Sequence, residues 1–222
     1  GLSAMERDRG LRATYFINLA SGFAGAMSRD GDHLPNPHLA EDLLQIEGVG
    51  HEIGYHTDAI FMDLFHDLRI DRWLPSALDR LRAAGLTIVS EASNGSPYRR
   101  AIDAHNRFAY ADFREGGRLA HLVGRSQRRQ AGFNGRIELV RDGRPHSRSL
   151  PDVTLADVGL RHAAYYPSTY GVTRAEHVYL TDSKLSARQI IDGLKAAEPG
   201  AVVQILMHPW RWGGCGATGP SP

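Results

Sequence analysis

Apolar residues along this chain recur with two different periods, and the alternation predicts a succession of helices and strands. Residues 2–10, "LSAMERDRG", read as the end of a helix stopped by Gly10. "RATYFINL" follows with the apolar, β-prone density of a strand, and "GDHLPNPH" predicts a loop. In "LAEDLLQIEGVG", Leu39, Leu43, Leu44 and Ile46 lay down a helical stripe that ends at Gly48, and "HEIGYH" then predicts a strand. "RIDRWLPSALDRLRAAG" predicts a longer helix. Leu74, Leu78 and Leu81 share a face, Gly85 supplies the stop, and Pro75 has to lie near the start or at a kink. "LTIVSEA" predicts a strand ending in the turn-like "SNGSP", and residues 98–115 read as helix or irregular structure. "GRIELVRDGRPHS" predicts a hairpin turning at Asp142 and Gly143, while the rest of 116–170 carries little period. "HVYLTDS" predicts another strand. "SARQIIDGLKAAEPG" predicts a helix with a capping box at Ser186 and Gln189, closed by Pro199 and Gly200. The continuous apolar run of "AVVQILMHPWRW" predicts a buried strand that ends at His208.

The recurring unit is strand, polar tip, helix. It predicts an α/β fold with a largely parallel sheet, barrel-like, in one domain spanning residues 1–222 with a flexible tail at 213–222. Four strand tips carry polar groups: His56 with Asp58, Asn94, Asp182 and His208. In parallel α/β folds the carboxyl ends of strands are where chemistry collects, so these tips predict a site.

Composition narrows the function classes. The 222 residues are 42% hydrophobic and 23% charged, ordinary for a globular chain. With 26 basic and 25 acidic residues the net charge is +1, which gives no electrostatic case for nucleic acid or an anionic membrane. The arginine-rich pieces "RSQRRQ" and "YRR" are short and read as solvated surface. Cys215 is the only cysteine and lies in the tail. No disulfide can form within the chain, a reducing, cytoplasmic setting is expected, and a catalytic thiol is not. No apolar run reaches the length of a membrane span and no secretory signal opens the sequence.

"GVGHEIGYHTDAI", residues 48–60, concentrates the chemistry. A zinc-protease helix needs its two histidines at i and i+4. Here His51 and His56 stand at i and i+5, about 140° apart on a helix, and Gly50 and Gly54 argue against a helix at all. On a strand, His51, Ile53 and Tyr55 point one way and Glu52, Gly54 and His56 the other, so the two imidazoles cannot share an ion. His56, at the strand's end, is the ligand candidate, and His51 is expected to make a structural hydrogen bond.

"LRATYFIN", "GHEIGYHT" and "ILMHPW" together resemble the polysaccharide deacetylase (NodB-homology) family, over residues 10–212. Within it, the chain is similar to the deacetylase-like branch of bacterial surface-polysaccharide clusters. The matches are Gly50 to His56, Tyr179 to Ser183 in a Y-x-x-Asp-Ser strand end, and His208 to Trp210 with Trp212 close by. The resemblance implies a distorted (β/α) barrel and metal-assisted removal of an acetyl group from an N-acetylated sugar, the ion usually zinc. It implies His56 as a metal ligand, His208 as general acid, and Asp182 as a residue that orients a histidine or contacts the sugar. Trp210 and Trp212 would offer faces to a sugar ring or, alternatively, cover the barrel mouth.

Three positions depart from the family pattern. Its second metal histidine falls on Ile60, which has no donor, so Asp58 is the candidate substitute; the alternative is that Asp58 caps or orients a neighbour. Its "ASHG" is "ASNG" here, which puts Asn94 in place of a histidine, suited to hydrogen-bonding substrate rather than to binding zinc. Its acidic pair belongs on a strand well ahead of "ATYF", and only 12 residues precede Ala13. A truncated N-terminus lacking the first barrel strand is therefore expected, with loss of catalysis the alternative. Two further roles stay open: a non-catalytic domain that binds glycan or assists biosynthesis, and a hydrolase of non-sugar amides.

Overall fold

The computed structural model describes residues 2–19, 21, 24–27, 33–93, 104–122, 133–141, 144–173 and 176–208. The chain divides into two compact units, Gly1–Tyr166 and Pro167–Pro222.

In the first unit the elements run α1 (Leu2–Asp8), β1 (Thr14–Ile17), β2 (Gly25–Met27), β3 (His33–Pro35), α2 (Leu39–Gly48), β4 (Glu52–Thr57), α3 (Ala59–His66), α4 (Ile70–Ala83), β5 (Ile88–Ser93), β6 (Arg136–Arg141), β7 (Arg144–Ser149) and β8 (His162–Ala163). Between β5 and β6 the described chain turns through short 3-10 segments at Asn106–Ala109, Ala111–Phe113 and Ala120–Leu122. The sheet is four-stranded and parallel, in the order β1-β4-β5-β8. The fold class is thus mixed α/β with parallel strands; no closed barrel forms among the described residues.

Strand alternation builds the core. Ile53 and Tyr55 of β4 and Ile88 of β5 are buried with Leu39 and Leu43 of α2 and with Leu74, Leu78 and Leu81 of α4. Each such side chain contributes about 1.5–3 kcal/mol by leaving water. On the other face of β4 the packing is tight enough to require glycine. A Cβ on Gly54 would lie 2.5 Å from the Phe16 ring and 2.8 Å from Ser90 Oγ.

The segment after β5 is held by one buried guanidinium. Arg114 donates to the carbonyls of Phe108, Ala109, Leu150 and Pro151 and pairs with Asp152 at 3.0 Å. The β6–β7 hairpin forms as the pattern predicts, with Arg141 opposite Arg144; Asp142 and Gly143 lie outside the described residues. Arg148 ties it to the α3–α4 turn through Asp63 at 2.6 Å and Asp67 at 3.0 Å.

Two elements differ from expectation. α3 was not predicted: "AIFMDLFH" is apolar almost all round and shows no stripe. The "GDHLPNPH" stretch contains β3, paired antiparallel with β2, rather than loop alone.

In the second unit, β9 (His177–Thr181), α5 (Ala187–Ala196) and β10 (Val202–Leu206) follow, with β9 and β10 pairing in parallel. The capping box is present: Ser186 accepts from the Gln189 N–H and the Gln189 side chain returns to the Ser186 N–H. Gly193 lets α5 sit on β9, since a Cβ there would lie 2.9 Å from Leu180. β10 is the expected strand, but not the buried one: Val202 and Ile205 are 45% and 38% exposed. Among the described residues of this unit, two strands and one helix supply too little cover to bury a continuous apolar run. No helix among the described residues is long and apolar enough to cross a membrane.

Candidate functional site

His51 stands one residue ahead of β4 and His56 lies within it, and the two imidazoles have separate surroundings. His51 is buried, accepts the Ala13 N–H on Nδ1 at 3.1 Å and donates from Nε2 to the Ser3 carbonyl at 2.9 Å. It anchors α1 to the β1–β4 pair, the structural role expected of it. His56 is partly exposed, on the face shared with Glu52 and Gly54, opposite Ala92 of β5.

Asp58 follows at the strand's end. It occupies the N-cap position of α3, yet its side chain makes no cap bond. Its Oδ1 instead accepts from Asn106 Nδ2 at 2.9 Å, in a buried contact. Asn106 is placed by the 3-10 turn that begins at His105, whose Nδ1 accepts the Arg107 N–H. Ile60, where the resemblance expects a second histidine, is fully buried in the core cluster.

The opposite face of the same strand ends holds a polar cluster that the sequence did not reveal. Glu91 of β5 is 0% exposed and lies in register with Tyr55. Thr57 Oγ1 donates to its Oε2 at 2.8 Å and Ser93 Oγ at 3.2 Å. Thr57 has one hydroxyl proton, so the Tyr110 hydroxyl, 3.0 Å away, donates to Thr57. Arg107 donates to the Tyr166 hydroxyl, and Tyr166 stacks on Phe113. Burial pushes the Glu91 carboxyl up to about 7, with the hydroxyl bonds and the Arg107 charge offsetting part of the effect. Burial likewise raises Tyr110 well above its usual range, and Tyr166 to about 12. The signal for Glu91 was a carboxylate inside an otherwise apolar strand run; Asn106, Arg107 and Tyr110 lie in a stretch without period.

In the second unit the predicted catalytic pair is brought together. Asp182 follows β9 and His208 lies just beyond β10. Asp182 Oδ2 accepts the His208 backbone N–H at 2.6 Å, and Oδ1 accepts from ring Nδ1 at 2.5 Å. Asp182 is 7% exposed, whereas the His208 side chain keeps 24% of its surface. With the proton on Nδ1, the lone pair of the neutral ring sits on Nε2. Ser183 Oγ lies 3.5 Å from Nδ1, the nitrogen already bonded to Asp182, so it is not aligned as a nucleophile toward this base. Asn94, Trp210 and Trp212 lie outside the described residues. His56 belongs to the first unit and His208 to the second.

Among the described residues no three His, Cys, Asp or Glu side chains gather into a set that could hold a metal ion. His56 and Asp58 offer two donors, one short of the three protein ligands of a catalytic zinc, so the described residues do not complete such a site. No family model, no curated protein and no solved structure matches the chain.

Proposed function

We propose that the chain is a hydrolase of the polysaccharide deacetylase type, cleaving the acetamide of an N-acetylated sugar, with Asp182 and His208 as its proton-transfer element. The observation that carries this is the double hold of Asp182 on the backbone and ring of His208, at 2.6 and 2.5 Å. An amide nitrogen leaves readily only when it is protonated as its bond to carbon breaks. A ring fixed through Nδ1 presents Nε2 for that task, and the carboxylate behind it stabilises the imidazolium form. His208 is the catalytic residue and Asp182 the positioning residue.

Zinc, the ion of this proposal, would draw on His56 and Asp58. When bound it supplies a polarised carbonyl and an activated water. Asn94 would hydrogen-bond the sugar, and Trp210 and Trp212 would give it apolar faces. A distorted (β/α) barrel and a cytoplasmic setting belong to the same proposal. The parallel sheet and the polar strand tips support the first, the single Cys215 the second.

The test is acetate release from N-acetylglucosamine oligomers, with zinc supplied and metal content measured. Release is expected from the wild type, with loss on chelation and a drop of about 10²–10⁴-fold in a folded His208→Ala variant. Wild-type protein that holds zinc and releases no acetate contradicts the proposal. A non-catalytic glycan-binding role is the alternative, favoured by the commitment of Asp58 Oδ1 to Asn106. Oligomer binding without acetate release would establish it.

A further inference from the structure

Glu91 is fully enclosed, and the groups that hydrogen-bond it are hydroxyls rather than cations. The groups facing it are Tyr55 and Thr57 from β4, Ser93 from its own strand, Arg107 and Tyr110 from the 3-10 segment, and Tyr166 beyond β8. Only Thr57 and Ser93 hydrogen-bond the carboxyl, and Glu91 enters no ion pair among the described residues. Arg107 is the single cation in the set. It donates to the Tyr166 hydroxyl and lies 5.5 Å from that ring's centroid. An enclosed carboxyl with no cation in contact favours its neutral form, and the two hydroxyl donors offset only part of that preference.

We propose that Glu91 is a proton-sensing group whose charge state sets how the tip of β4 is held. The neutral acid is accommodated by Thr57 and Ser93 as they stand. Ionisation releases one proton to solvent and leaves an enclosed anion, which draws the Arg107 guanidinium away from Tyr166. Two routes carry the change to Asp58. Thr57, bonded to Glu91, lies between His56 and Asp58 in the strand. Arg107 is the chain neighbour of Asn106, whose amide holds Asp58. The shift of the carboxyl up to about 7 places the transition near neutrality. The switch does not depend on the deacetylase proposal, because its readouts are titration and folding rather than turnover.

Carboxyl 13C NMR of the whole chain, with urea unfolding, tests it. One glutamate carboxyl is expected to titrate near neutrality and to be missing from Glu91→Gln. Thr57→Val, which removes a donor to the carboxylate, should raise that midpoint further. Between pH 5 and 8 the unfolding constant of the wild type should rise on the order of 10²-fold beyond that of Glu91→Gln. The proposal is overturned if every glutamate of the unmodified chain titrates near the ordinary value of about 4.3, a result that needs no variant to fold. It is equally overturned if wild type and Glu91→Gln share one pH dependence, or if Thr57→Val leaves the midpoint unmoved.

Discussion

The ends of β5 and β9 each carry an acidic side chain that is almost wholly enclosed: Glu91 is 0% exposed and Asp182 is 7% exposed. Their partners differ. Asp182 accepts from a backbone N–H and from an imidazole that itself reaches solvent. Glu91 accepts from two hydroxyls deep in the core. Equal burial therefore produces opposite chemistry. A carboxylate that accepts from the ring of a partly exposed histidine fixes that ring's orientation. A carboxyl enclosed in the core without a cation in contact keeps its proton, because burial outweighs the hydroxyl donors.

Breaking the β9–β10 side should have the largest effect. On the proposed function, His208→Ala should lower acetate release by about 10²–10⁴-fold, and the loss of the ring donor to Asp182 should cost about 1–2 kcal/mol in urea unfolding. On the Glu91 side, raising the pH from 5 to 8 should lower wild-type stability by about 3 kcal/mol and leave Glu91→Gln nearly unchanged. The sign follows from a carboxyl raised from 4.5 to about 7 in the folded chain. Its contribution is complete below the unfolded value and is lost as the pH climbs through the folded one. Asn106→Ala removes the 2.9 Å donor to Asp58 and should cost about 1–2 kcal/mol in urea unfolding. The smallest effect is expected at α5, where Ser186→Ala removes the cap and costs about 1 kcal/mol.

Sequence pattern carried the architecture further than the site. The leucine stripe of α4, the capping box of α5 and the alternation of β4 are local signals, and each element formed where its signal stood. The strand pattern of "HEIGYH" also set His51, a structural anchor just ahead of β4, apart from His56. α3 escaped because a segment apolar on every side has no period to detect. The burial of β10 was misread because an apolar run reports hydrophobicity, not the cover that neighbouring elements supply. The pairing of Asp182 with His208 was approached through motif resemblance, which named both residues but left the role of Asp182 open. The role of Asp58 and the existence of the Glu91 cluster were illegible for one physical reason. Their partners, Asn106 at one and Thr57 with Tyr110 at the other, come from distant chain segments, and hydrogen bonds of that range leave no local periodicity.

The hold of Asp182 on the His208 ring is the claim on which the proposed function rests, and the 15N chemical shifts of that ring report it directly. The neutral ring should show its proton on Nδ1 and a bare Nε2, and Asp182→Asn should disturb that preference. A neutral His208 protonated on Nε2 in the wild type would contradict the account.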